Sequence, residues 1–150
     1  MDIWGIRGYT LEYDDDTHTY LVNGEIVPSV TQSLTARFAD KYKNVMSGVL
    51  QRAAERGTAI HKAIENYCRT GEDDGSVELH NFNFLRKYYG FEVLENEVPI
   101  IIFKDDQPKA AGRLDLVLKV GDDMAIADIK TTAVLDREYL AYQLNLYALG

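Results

Sequence analysis

The chain carries one cysteine, Cys68, among its 150 residues. A single thiol cannot close an internal disulfide, and it cannot supply the four-cysteine sets of structural zinc or iron–sulfur sites. Long apolar runs are also missing: nothing approaches the roughly 20 residues of a membrane span. The opening Met1-Asp2-Ile3-Trp4-Gly5 lacks the basic-then-apolar order of a secretory signal, so no signal peptide and a cytoplasmic setting are expected. Basic charge is short as well. Sixteen Lys and Arg stand against 24 Asp and Glu, a formal charge of −8, which by itself argues against a polyanionic partner.

What is present is more informative. Apolar residues make up 46% and charged residues 27%, the composition of one globular domain spanning 1–150. The charge is unevenly spread. Between residues 35 and 70, Arg37, Lys41, Lys43, Arg52, Arg56, Lys62 and Arg69 face only Asp40, Glu55 and Glu65. A local basic face can therefore still bind phosphates.

The first 30 residues read as a hairpin, with Thr19–Val22 and Glu25–Val27 flanking the type I′ signal Asn23-Gly24. Pro28 ends the second strand, and Ser29 or Thr31 can cap a helix starting near Thr31. A poorly periodic helix is expected from Lys41 to Glu55. Gly57-Thr58 is expected to interrupt it, with Thr58 capping a new helix from Ala59 to Arg69. Ile60, Ala63, Ile64, Tyr67 and Cys68 form its apolar stripe and Gly71 its C-cap. A further helix runs from Val77 to Tyr89, with Leu79, Phe82, Leu85 and Tyr89 inward. Strands follow at Phe91–Phe103, Arg113–Val120 and Met124–Thr131, then a helix from Val134 to Leu149. This order predicts an α/β or α+β fold with a mixed central sheet flanked by helices.

The last two strands can be placed in register. A two-residue Gly121-Asp122 loop of type II′ pairs Val120 with Asp123, then Leu118 with Ala125, Leu116 with Ala127 and Leu114 with Ile129, giving one apolar face. The other face pairs Val117 with Ile126, Asp115 with Asp128, and Arg113 with Lys130. Opposed carboxylates repel unless a cation compensates them. Mg²⁺ or Mn²⁺ suits hard oxygen ligands, and a nearby ammonium from Lys130 can offset charge developing on a phosphoryl group. The same residues also describe a solvated sheet face with a Lys–Asp pair. His61 and Glu65 share one helix face, as do Gln143 and Tyr147; alone, each pair is an ordinary packing or surface pair.

Taken in order, Gly57-Thr58-Ala59-Ile60-His61, Gly112-Arg113-Leu114-Asp115, Asp128-Ile129-Lys130 and Gln143-Leu144-Asn145-Leu146-Tyr147 resemble the motifs of RecB-type nucleases of the PD-(D/E)XK superfamily. The stretch Val27-Pro28-Ser29-Val30-Thr31 is similar to the start of phage-type exonucleases of this group. The resemblance implies a restriction-endonuclease-like core over residues 57–150 behind the N-terminal hairpin of residues 1–30. It implies Asp115, Asp128, the Ile129 carbonyl and His61 as Mg²⁺ or Mn²⁺ ligands, with Asp115, Asp128 and Lys130 catalytic. Gln143 and Tyr147 would brace the lysine or touch the nucleic-acid backbone, Glu65 would be a supporting carboxylate, and Arg113 is placed at phosphate by the register. The proline of the superfamily name is replaced by Leu114. Relatives with a four-cysteine cluster differ from this chain, so no iron–sulfur cluster is expected. The core's usual strand after the last helix is missing at Gly150, which implies a chain cut short.

The expected activity is a metal-dependent exonuclease on DNA, in phage or bacterial recombination or repair, with a recombinase or helicase partner and no membrane. The alternative is a nuclease-fold module that binds nucleic acid or protein without cutting. Its sequence sign is loss of the lysine or of an aspartate, and all are present.

Overall fold

The computed structural model describes residues 1–37, 47–131 and 137–150. They fall into two compact units. One comprises Met1–Lys41, Pro99–Leu114 and Asp136–Gly150, and the other Tyr42–Val98 and Asp115–Leu135.

The first unit is built on a four-stranded antiparallel meander: β1 (Asp2–Ile6), β2 (Tyr9–Asp14), β3 (Thr19–Val22) and β4 (Glu25–Val27). The β3–β4 hairpin is the expected one. Asn23 and Gly24 both have positive φ, 50° and 83°, as a type I′ turn requires. The sequence reading missed β1 and β2, because their turn uses Arg7 at φ 51° before Gly8. An arginine in the left-handed region is no hairpin signal. Its side chain stacks over Phe103 (5.9 Å to the ring centroid).

After Pro28, a reciprocal capping box starts α1 (Val30–Arg37): Gln32 N–H donates to Ser29 Oγ at 2.9 Å and Ser29 N–H to Gln32 Oε1 at 3.0 Å. Leu11, Tyr20, Val22 and Val27 pack with Ile101 and Ala111 as the core of this unit. Its last helix, α4 (Arg137–Leu149), packs on α1 and buries Gln143 and Tyr147. Gly112 allows a close approach, since a Cβ there would lie 3.2 Å from the Tyr147 ring and 3.4 Å from Val30. The start of the expected 134–149 helix lies outside the described residues.

In the second unit, α2 (Ser47–Thr70) runs unbroken through Gly57 and Thr58. This corrects the expected break: Thr58 Oγ1 donates to the Ala54 carbonyl at 3.0 Å instead of capping a new helix. Gly57 is tolerated mid-helix because its bare face meets Thr131, whose Oγ1 would lie 3.2 Å from a Cβ. The expected helix over 41–46 lies outside the described residues. The α2 stripe behaves as read, with Ile60 and Ile64 buried, Tyr67 and Cys68 partly so, and Gly71 closing the helix at φ 78°. Helix α3 (Val77–Tyr89) begins at the Ser76 cap and ends at Gly90 in the left-handed conformation. It buries Leu79 and Phe82, but Leu85 and Tyr89 are exposed rather than inward.

Strands β5 (Phe91–Lys104), β6 (Gln107–Val120) and β7 (Asp123–Ala127) form a three-stranded sheet in that order. The β6–β7 register is the expected one, with Val120 opposite Asp123, Leu118 opposite Ala125 and Leu116 opposite Ala127. Gly121 has φ 61° while Asp122 does not, in keeping with a II′ turn. Leu116 and Leu118 join Ile60, Ile64, Leu79 and Phe82 in the core of the second unit.

The described residues therefore form an α+β protein with two antiparallel sheets. The single mixed central sheet is not what forms, because short turns of two to four residues fold successive strands antiparallel against their neighbours. The last strand is also shorter than expected, ending at Ala127, so Asp128, Ile129 and Lys130 follow it as non-strand backbone.

Candidate metal centre

Past Ala127 the backbone stops pairing as a strand, and Ile129 N–H donates to Asp115 Oδ2 at 2.7 Å. A carboxylate on β6 thus takes a donor that a longer ladder would have given to a carbonyl. The contact fixes Asp115, which is 8% exposed, and holds Ile129 so that its side chain joins the apolar cluster beneath. The next carbonyl, that of Ile129, is left facing α2. His61 meets it there: Nε2 lies 3.0 Å from Ile129 O, 68 residues away in sequence, and must be the donor because a carbonyl only accepts. The other ring nitrogen, Nδ1, lies 3.4 Å from Asp115 Oδ1. The ring is aimed by the Ile60/Ile64 stripe beside it, which is packed into the core.

Glu97 completes the cluster. Ligand atoms of His61, Glu97 and Asp115 all lie within 4.8 Å of one another, so this group can hold a metal ion. No feature of the sequence marked Glu97. It stands in a strand with two other glutamates, Glu92 and Glu95, and the alternation of β5 is broken around it. Its φ of 50° is left-handed inside a strand, a strained position for a non-glycine residue.

Asp128 and Asp115 are close enough to share a hydrogen bond, and their charges oppose each other. Burial, followed by the negative charge of Asp115, pushes the Asp128 carboxyl up to about 6. Burial would raise Asp115 too, but the hydrogen bond and charge of His61, together with the Ile129 N–H, outweigh it and hold Asp115 below its ordinary value. For His61 the Asp115 hydrogen bond outweighs burial and raises the imidazole. Lys130 Nζ lies 2.7 Å from Asp128 Oδ2 as an ion pair, yet that oxygen has no partner in hydrogen-bond geometry and is fully buried. The imidazole and the carboxylates of Glu97 and Asp115, with the buried Asp128 oxygen beside Asp115, fit a divalent cation. The Ile129 carbonyl accepts from His61 Nε2–H, on the far side of the ring from Nδ1, and so does not share a cation with that nitrogen.

The remaining candidates lie elsewhere. Glu65 forms an ion pair with Arg69 one turn on, at 2.9 Å, and does not contribute to the cluster. Arg113, Gln143 and Tyr147 belong to the first unit. There the Arg113 guanidinium lies over Tyr13 (4.8 Å) and Trp4 (5.8 Å), with Asp2 at 3.7 Å. Gln143 and Tyr147 are buried on one face of α4, and Gln143 Oε1 has no hydrogen-bond partner.

These shifts set a pH dependence. A raised carboxyl binds its proton more tightly folded than unfolded, so Asp128 lowers stability progressively as pH rises from about 4 through about 6. The raised His61 acts in the same direction. Its contribution is full below the ordinary histidine value and is lost as pH rises through its higher folded value. Asp115 is lowered, so it titrates below this window and adds nothing to the slope. Metal-free protein is expected to melt about 5 °C lower at pH 8 than at pH 5, on the order of 1–2 kcal/mol after solvent screening. Saturating Mn²⁺ should remove or reverse the difference, and Asp128→Asn should shrink it to the share that His61 contributes without metal. Thermal melts at both pH values decide it; a metal-free protein more stable at pH 8 would refute the pairing.

No family model matches the chain, and neither a curated protein nor a solved structure is significantly similar to it.

Proposed function

We propose that this chain is a metal-dependent nuclease that hydrolyses DNA phosphodiester bonds, and that it acts as an exonuclease in recombination or repair. The observation that carries the reading is the meeting of His61 with Asp115 and the Ile129 carbonyl, beside Asp128 and Lys130. A nitrogen and several carboxylates converging with a lysine at the edge form a donor set with an obvious use.

His61, Glu97 and Asp115 would hold Mg²⁺ or Mn²⁺, with Asp128 beside them as a further carboxylate and the Ile129 carbonyl fixing the imidazole through its Nε2–H. Such an ion would supply a Lewis acid for a phosphoryl oxygen and would lower the pKa of a water. The chain's own residues do the rest. Asp115, already ionised and pinned by the Ile129 N–H, offers a preorganised negative charge that needs no rearrangement. Asp128 gives up its proton to become a ligand, so binding should release protons and strengthen as pH rises through about 6. Lys130, one residue beyond the Ile129 carbonyl and ion-paired to Asp128, can hold an attacking water and offset charge on the phosphate as the bond breaks. The formal charge of −8 does not oppose this function, because part of it lies on ligands that the cation neutralises.

The test is incubation with end-labelled linear DNA and with covalently closed circles, in Mn²⁺, Mg²⁺ or EDTA. Loss of linear DNA from its ends with divalent metal, with circles spared, is the expected result. Circles cut as fast as linear DNA would make it an endonuclease. Binding without cleavage in every metal would leave a nuclease-like binding module.

A further inference from the structure

Helix α3 turns an aromatic face to solvent that no core of its unit uses. Leu79 and Phe82 take the inward side, whereas Phe84, Tyr88 and Tyr89 are 61%, 71% and 64% exposed. The exposed rings are ordered among themselves. Phe84 and Tyr88, one helical turn apart, stack with centroids 6.0 Å apart and planes at 20°. Tyr89 meets Tyr88 edge-on at 4.9 Å. Large aromatics left in water in this way mark a binding surface.

Charge identifies the occupant. Across residues 79–91 there is no acidic residue, while Arg86 and Lys87 lie between Phe84 and Tyr88 in the sequence, in a chain whose overall charge is −8. Lys87 is exposed, and Arg86 reaches back over the Tyr67 ring at 5.8 Å. Flat apolar faces interleaved with cations complement bases joined by phosphates. An apolar protein partner would not require the cations, and an acidic peptide would not require the parallel rings.

We infer that the outer face of α3 is a stacking platform for the bases of single-stranded nucleic acid, centred on Phe84 and Tyr88 with Lys87 at the phosphates. The choice of ligand rests on the nuclease reading, since an enzyme acting at DNA ends needs a hold on unpaired nucleotides. The platform itself involves none of the metal-centre residues. Bases stacked on exposed aromatics contribute enough that removing one ring lowers affinity about tenfold or more, with little preference for sequence.

The experiment is fluorescence anisotropy with a labelled 20-nucleotide oligothymidine and a duplex of equal length, in EDTA so that nothing is cut. Tyr88→Ala is expected to weaken the single strand about tenfold and the duplex much less, with Tyr88→Phe close to wild type. Because both rings are exposed, the variants should melt with wild type. Equal single-strand affinity in wild type and Tyr88→Ala overturns the platform, as does failure of wild type to bind the oligonucleotide. A wild-type dimer that Phe84→Ala/Tyr88→Ala converts to monomer, with oligonucleotide binding unchanged, overturns it in favour of self-association. The two readings separate cleanly. Protein that binds through Tyr88 but cuts no DNA supports the platform and removes the nuclease. Protein that cuts DNA but ignores Tyr88 does the reverse.

Discussion

Asp115→Asn is expected to lower metal-dependent DNA cleavage by about 1,000-fold, the upper end of what removing one preorganised group costs. The aspartate serves two partners at once: Oδ2 accepts from Ile129 N–H at 2.7 Å, and Oδ1 faces His61 Nδ1 at 3.4 Å. An amide can keep an oxygen toward Ile129 only by turning its NH₂ toward His61. The imidazole then loses its anionic partner and its raised proton affinity, which histidine NMR titration reads directly. Asp128→Asn should inactivate to a similar extent while raising metal-free stability near neutral pH, because it removes the charge that burial and Asp115 disfavour. The two variants therefore share a catalytic defect and differ in folding stability. Calorimetric Mn²⁺ titration should show both weakened, with circular dichroism confirming that each is folded. Near-normal cleavage by either would refute the metal centre.

Lys130→Ala is expected to reduce turnover by about 100-fold at saturating metal. The experiment must separate two effects. Lys130 Nζ lies 2.7 Å from Asp128 Oδ2 and opposes the upward push on that carboxyl. Without the ammonium, Asp128 holds its proton to higher pH, and apparent metal affinity near neutrality falls for that reason alone. Measurement at pH 8.5 with excess Mn²⁺ leaves Asp128 ionised in both proteins, and the remaining loss is that of the ammonium at the phosphate. Lys130→Arg keeps the charge but spreads it over a planar fork, so it should recover metal affinity more completely than rate. Equal rates for wild type and Lys130→Ala at pH 8.5 would reduce Lys130 to a partner of Asp128.

Local rules make much of this fold legible in the sequence. Asn23-Gly24 specified a tight hairpin, Gly121 specified the β6–β7 turn, and from that turn the pairing of Leu116 with Ala127 followed by alternation alone. Helix α3 was readable from its apolar spacing and from Gly90, and the buried stripe of α2 from Ile60 and Ile64. Each depends on neighbours a few residues apart, where dihedral preference and side-chain period act directly.

What the sequence determined by itself was the Asn23-Gly24 and Gly121-Asp122 turns, the β6–β7 register as far as Ala127, and the facing of Asp115 toward the Asp128-Ile129-Lys130 segment. The rest was settled by contacts between distant segments. Gly57 looked like a helix break but is a site where α2 approaches Thr131. The strand that should have carried Asp128 ends one residue earlier, because a side chain, Asp115, satisfies Ile129 N–H in place of the ladder. Among three similar glutamates in β5, only tertiary packing and the left-handed backbone at residue 97 bring Glu97 to His61 and Asp115. Hydrogen bonding and burial between residues tens of positions apart have no period and no local signature, so only the folded chain can decide them.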